Sequence, residues 1–143
     1  MTEFALHMVD ERRALAHLMA LLKIEGLSGQ EGNVAAEVRK RLGEAGCKSS
    51  WIRHDSAHRR IGHGYQVGNL IVRIPGSGVR RKESRRLFSG HMDTVPLCRG
   101  AVPKLSGDRI VSKGTTALGG DNRTAVAALV TVVETLLRHK LPH

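Results

Sequence analysis

The chain has 143 residues, of which 41% are apolar but only 3% aromatic, and its formal net charge is +10. That length supports one domain with a real core and is short for two. The core must come from Leu, Val, Ile, Ala and Met, and aromatic platforms for stacking bases are nearly absent. Lys and Arg gather between Arg53 and Arg60 and again in "VRRKESRR", Val79 to Arg86, a balance that favours acidic partners. No zinc-finger spacing or aromatic RNA-binding signature accompanies the charge. The clusters therefore read as solvated loops, and nucleic acid is not the expected partner. The alternative is a small basic nucleic-acid-binding protein using Arg59, Arg60, Arg80, Arg81, Lys82, Arg85 and Arg86. Cys47 and Cys98 are the only cysteines and form no CxxC pair, which excludes a disulfide framework and a zinc knuckle and suits a reduced, cytoplasmic setting. The N-terminus mixes both charges early, as neither a signal peptide nor a membrane span does.

Leu15, Leu18, Met19 and Leu22 recur at i, i+3, i+4 and i+7, which predicts a first helix of about four turns with Asp10 as its cap. In "GLSGQEGNVAAEVRKRLGEAG", Val34, Val38 and Leu42 share one face of a second helix. Ser28 or Asn33 is placed to cap it and Gly46 to end it. The texture then changes. "CKSSWIRH", "GNLIVRIPG" and "RRLFSG" read as three extended segments, and "AVPKLSGDRIVSKG" as a loop with a short hairpin around Gly107 and Asp108. Finally "NRTAVAALVTVVETLLRHKLP" puts Val126, Leu129, Val130, Val133 and Leu137 on one stripe of a long helix. Arg138, His139 and Lys140 fall in its last turn, and Pro142 lies just beyond. Helices and short strands in this order predict an α/β fold, a mixed sheet flanked by helices.

Two short pieces carry the candidate chemistry. In "FSGHMDTVP", His91 and Asp93 lie two apart in an extended segment and so face the same way. A metal-bound imidazole commonly gives its second ring proton to a carboxylate, and this spacing suits a ligand with its orienting partner. A surface hydrogen-bonded pair is the plainer reading of the same residues. In "GTTALGGDNRTAVAAL", two glycines precede Asp121 at the start of the strongest helix. Ordinary capping by Asp121 or Asn122 is the plainer reading there. A phosphate loop is excluded, because it needs Lys and Ser or Thr directly after its last glycine.

Together, "SGHMDTVP" and, about thirty residues on, "GTTALGGDNRTAVA" resemble the zinc exopeptidases of the M20 peptidase family, most nearly the peptidase T-like tripeptide aminopeptidase branch. "SGQEGNVA" and "VGNLIVRIPG" look similar to the same branch. The resemblance implies two zinc ions, with His91 a ligand to one, Asp93 orienting its imidazole, and Asp121 bridging both. It also implies a cis peptide between Asp121 and Asn122, a short peptide as substrate, and an N-terminal residue as the group removed. Two departures accompany it. The family commonly has Asp where Lys113 stands, so Lys113 is expected to face solvent. The family's adjacent Glu pair and later ligands have no counterpart after Asp121, where Glu134 is the single carboxylate. The expectation is an incomplete zinc-exopeptidase catalytic domain over residues 1–143, without the lid and dimerisation domain. Such a chain is expected to turn over poorly, to have no membrane partner, and to homodimerise only if that domain were present.

Overall fold

A computed structural model describes residues 8–78 and 85–143. Arg80, Arg81 and Lys82 of the second basic cluster lie outside the described residues, as do the first seven residues. Among the described residues, no helix is long and apolar enough to cross a membrane.

Among the described residues, four helices appear in chain order: α1 (Glu11–Leu22), α2 (Gly32–Glu44), the single turn α3 (His58–Ile61) and α4 (Gly120–Arg138). β1 (Ile52–His54) pairs antiparallel with β2 (Leu70–Val72), and β3 (Pro103–Ser106) with β4 (Arg109–Ser112). An isolated parallel bridge joins Leu27 to Thr94. The fold is α/β, and its sheet is fragmentary: two antiparallel pairs and one bridge among the described residues.

Asp10 caps α1, its Oδ1 accepting the backbone N–H of Arg13 at 3.1 Å. The helix runs 12 residues, about three turns, where four were expected. Its inward face is rotated from the expected one: His17, Leu21 and Leu22 are buried, while Leu15 is exposed. His17 turns inward because it has polar partners there, described below. On α2 the expected face of Val34, Val38 and Leu42 is buried, with Ala35 beside it. Gly46 ends that helix at φ +95°, and the Cys47 N–H reaches back to the Leu42 carbonyl at 2.9 Å, a Schellman closure. Neither Ser28 nor Asn33 caps α2. The cap position is Glu31, with no side-chain cap bond, and Ser28 is engaged elsewhere.

"CKSSWIRH" begins as a 3₁₀ turn, Ser49–Trp51, before extending into β1. Beyond β1 the Asp55 carboxylate accepts the backbone N–H groups of Ala57 and Asn69 and the Asn69 side-chain amide at 2.8–3.0 Å, which ties the two arms together. Gly68 has no room for a side chain, since a Cβ would lie 2.3 Å from the Asp55 carbonyl oxygen. The hairpin at Gly107 and Asp108 forms as expected, with Gly107 at φ +61°. The third extended segment differs. Residues 85–90 form no strand, and Leu87 and Phe88 are 93% and 66% exposed. A strand needs a hydrogen-bonded neighbour, and none of the described residues supplies one.

The core is a single cluster of Leu21, Val34, Val38, Leu42, Cys47, Ile52, Val126, Ala127 and Val130. α4 packs along α1 and against α2. Its buried stripe is Arg123, Val126, Ala127, Val130, Thr131 and Glu134. Val126 and Val130 were expected there, whereas Leu129, Val133 and Leu137 sit half-buried at its margin. Cys47 and Cys98 are buried and unpaired.

Candidate metal-binding site

His91 and Asp93 lie in an irregular segment that the Thr94 bridge anchors to the core. The Thr94 N–H donates to the Gly26 carbonyl at 2.9 Å and its hydroxyl donates to the same oxygen at 3.2 Å. Gly90, just before His91, lets this segment approach the first turn of α4, where a Cβ would already touch Ala125 at 3.4 Å. On the other side, Gly119 takes φ +75° and packs against Thr94 and Cys98. Cys98 is therefore a small buried support beneath the turn that presents Asp121. The peptide bond between Asp121 and Asn122 is cis, and both residues depart from helical backbone angles. Gly119 holds the helix-cap position and makes no side-chain cap bond, so neither Asp121 nor Asn122 caps α4.

These elements bring the three expected side chains together. His91 Nδ1 lies 3.1 Å from both the backbone oxygen and Oδ1 of Asp93. A carbonyl oxygen can only accept, so Nδ1 carries a proton and Asp93 fixes the tautomer. His91 Nε2 then faces Asp121 Oδ1 at 3.1 Å. In the neutral ring that nitrogen is a lone pair aimed at a carboxylate, and two acceptors hold that distance only with a cation between them. A second ring proton serves in the metal-free protein. A metal ion is the other cation that fits: zinc bonds of about 2.0–2.2 Å to nitrogen and oxygen in a tetrahedral site put two ligand atoms roughly 3.3 Å apart.

The electrostatics agree with that geometry. Burial pulls the His91 pKa down, but the Asp121 and Asp93 contacts outweigh it and raise it above the ordinary 6.5. Asp93 is held below its ordinary value, first by the Ser28 hydroxyl, which donates to Oδ2 at 2.5 Å, and then by His91. Asp121 is open to solvent, its side chain 94% exposed. His91 and Asp121 thus fit two ligand positions. A closed set is lacking: among the described residues, no group of three or more His, Cys, Asp or Glu side chains is arranged to hold a metal. Lys113 is exposed, as expected.

Two supports of the site, Ser28 and Arg123, and one buried charge far from it, Glu134, were not foreseen in these roles. Ser28 belongs to the stretch "SGQEGNVA", and its role as partner to Asp93 depends on a tertiary contact 65 residues long. Arg123 is 1% exposed, two residues after Asp121. Glu134 is buried among Arg13, His17 and Arg138. Both Arg123 and Glu134 fall at i, i+3, i+4 positions of the apolar stripe, and a charge on that stripe is the signal that marks them. Two concave regions lie along α1 and α4, of about 260 and 590 Å³, and neither is lined by His91, Asp93 or Asp121.

No protein-family model matches the chain. Over 136 residues it is 26% identical to the uncharacterized protein YqjE of Bacillus subtilis, covering 95% of this chain and 34% of that protein. Its structure matches that of the aminopeptidase PepT from Bacillus cereus with a TM-score of 0.82 at 27% identity, covering 95% of this chain and 35% of that one. A tripeptidase from Staphylococcus aureus matches with a TM-score of 0.77 at 26% identity, again over 95% and 35%. The chain therefore spans about a third of the length of the proteins it resembles.

Proposed function

We propose that this chain is a portion of the catalytic domain of an M20-type, dinuclear zinc aminopeptidase acting on short peptides, and that it works in the cytoplasm. The observation that carries this reading is the His91–Asp121 pair, with Nδ1 anchored by Asp93 and Nε2 set 3.1 Å from Asp121 Oδ1. The likeness to an aminopeptidase and a tripeptidase supports the reaction class.

His91 Nε2 and one oxygen of Asp121 would hold the first zinc, and the second oxygen of Asp121 is free to face another. Asp93 keeps the ring in the tautomer that leaves Nε2 unprotonated toward the metal. When bound, such a pair of cations would supply an acidified water and polarise the scissile carbonyl. The protein must also move a proton from that water to the leaving amine, and among the described residues no further carboxylate is grouped with His91, Asp93 and Asp121 to do so. Glu134, the single carboxylate after Asp121, lies roughly 20 Å along the helix axis at 1.5 Å per residue. It is moreover engaged by three basic side chains. Metal capture is accordingly expected of this chain, and efficient peptide hydrolysis is not.

The test is a cobalt(II) titration followed by visible absorption, with a tripeptide hydrolysis assay in parallel. Wild type should bind cobalt, and His91→Ala and Asp121→Asn should each weaken that binding at least tenfold, with hydrolysis near background throughout. Absence of binding to wild type, or binding that survives both substitutions, would sink the reading.

A further inference from the structure

Arg123 has a place in the molecule that the helix itself does not require. It is 1% exposed, and among the described residues no carboxylate hydrogen-bonds to it. Removing an ion from water costs several kcal/mol even after relaxation, and a Leu or Met would fill the same stripe without that cost. Burial does lower the Arg123 pKa, with Asp93, Cys98 and Glu31 opposing it from a distance. The guanidinium spends its hydrogen bonds on backbone. Nη1 donates to the Leu21 carbonyl at 2.7 Å, and Nη2 to the Gly26 carbonyl at 3.4 Å. Leu21 lies in the last turn of α1, where the helix dipole favours a cation, and its carbonyl also accepts the Ile24 N–H at 3.3 Å. The Gly26 carbonyl is the same oxygen that receives the Thr94 N–H and hydroxyl. Gly26 is glycine for a matching reason: a Cβ there would lie 2.8 Å from Arg123 Nη2 and 2.5 Å from Val34 Cγ2.

Two stretches of chain therefore meet at one oxygen. Asp121 is two residues before Arg123 at the head of α4, and Asp93 is the residue before Thr94. We propose that Arg123 is a positioning residue, clamping the Gly26 carbonyl so that the segment bearing His91 and Asp93 keeps a fixed distance from Asp121. Its metal consequence rests on the function proposed above, but the clamp itself does not. Loss of the guanidinium frees the Gly26 carbonyl from α4, and the Thr94 bridge then opens without the rest of the helix opening.

Amide hydrogen exchange of the full metal-free chain, read residue by residue by NMR, tests the clamp. A cobalt titration of the same samples tests its consequence. In Arg123→Met the Thr94 amide should exchange about tenfold faster or more, while Val130 and Thr131 in the middle of α4 keep their wild-type rates. Cobalt affinity should fall by about 10-fold or more, the range seen when support for a ligand is lost. Arg123→Lys, whose ammonium reaches one carbonyl rather than two, should recover part of both, and it carries the test if Arg123→Met does not fold. Equal acceleration of Thr94 and Val130 would make Arg123 a mere core residue and overturn the proposal. So would cobalt affinity unchanged from a binding wild type. Selective exchange at Thr94 with no cobalt bound by wild type would support the clamp and refute the metal reading instead.

Discussion

His17 Nε2 donates to Glu134 Oε2 at 2.7 Å across 117 residues of sequence, joining the buried faces of α1 and α4. The direction is settled by the far side of the ring: Arg41 Nη1 lies 2.9 Å from Nδ1, and a guanidinium has no acceptor, so Nδ1 accepts and Nε2 carries the proton. Glu134 Oε1 is met by Arg13 and, at 2.8 Å, by Arg138. Arg41 in turn reaches Glu37 at 2.8 Å. The ladder spans three helices and ties α4 to α1 and α2.

Removing the carboxylate from this ladder leaves the buried His17 N–H without its partner, while the half-exposed Arg13 and Arg138 turn to water. Glu134→Ala should cost about 1–3 kcal/mol, the range for leaving a buried donor unsatisfied. The double variant His17→Leu/Glu134→Leu should recover much of that loss, since apolar side chains replace both polar partners. Urea unfolding of the three proteins checks this, and a single variant within 1 kcal/mol of wild type would contradict the role given to the ladder.

The same carboxylate sets an acid limit. Burial raises the Glu134 pKa, but hydrogen bonds from Arg13 and His17 prevail and bring it below the ordinary 4.5. A depressed folded value means that the stabilisation is complete above about pH 4.5 and disappears as the pH falls through the lower folded value. Stability measured between pH 5 and 2.5 should therefore fall more steeply in wild type than in Glu134→Gln. Parallel curves would place the acid sensitivity elsewhere.

At the candidate metal site the sign is opposite. The His91 pKa is raised above 6.5, and a metal must displace the Nε2 proton. Apparent zinc affinity should begin to fall at a pH above 6.5 and continue falling as the solution is acidified. Asp93→Asn keeps the side-chain shape but weakens the acceptor that orients the ring, and should lower zinc affinity about 10–100-fold at neutral pH. Calorimetric titrations across pH 5.5 to 8 check both. An affinity indifferent to pH in that interval would exclude an imidazole ligand.

Gly119 offers a test of the turn that carries Asp121. Its φ of +75° disfavours any Cβ, and the Cβ of an alanine would lie 2.6 Å from Thr94 Cγ2. Gly119→Ala should destabilise by about 2–4 kcal/mol, combining left-handed backbone cost with overpacking. Gly43→Ala is a useful contrast, because nothing lies within 4 Å of its position. That variant should be neutral or mildly stabilising, as Gly→Ala is in a helix interior. Thermal unfolding of the pair should show a clear gap in midpoint, and equal midpoints would show that Thr94 yields at little cost.

Local chemistry decided what the sequence made legible. The start of α1, the end of α2, the β3–β4 hairpin and the end of α4 are set by residues within a few positions of each other: Asp10, Gly46, Gly107, the Arg138–Pro142 stretch. His91, Asp93 and Asp121 were legible through their spacing and the family resemblance, and they do converge. The misreadings have one cause. Ser28 at a cap position, His17 interrupting an apolar face, and Arg123 and Glu134 within an apolar stripe each find partners 65 to 117 residues away. Short-range periodicity counts such residues as ordinary polar positions, and this is also why the buried faces of α1 and α4 are rotated from the expected ones. "RRLFSG" failed for the converse reason: β propensity alone makes no strand where no described neighbour offers a ladder.

That last segment has a practical consequence. Leu87 and Phe88 present large apolar side chains to water, a few residues before His91. An open apolar groove of about 590 Å³ between α1 and α4, lined by residues such as Leu18, Ala128, Val132 and Leu136, adds a second sticky surface. Exposed patches of this kind promote association. Light scattering of wild type should therefore rise with protein concentration. Leu87→Lys/Phe88→Lys should suppress much of that rise without lowering the thermal midpoint, because neither side chain packs in the core cluster. Val132→Lys, on the groove, should suppress a further part. A midpoint that drops in the Leu87/Phe88 variant would mean that this segment has a packing partner in solution. Scattering unchanged in both variants would locate the association on another face.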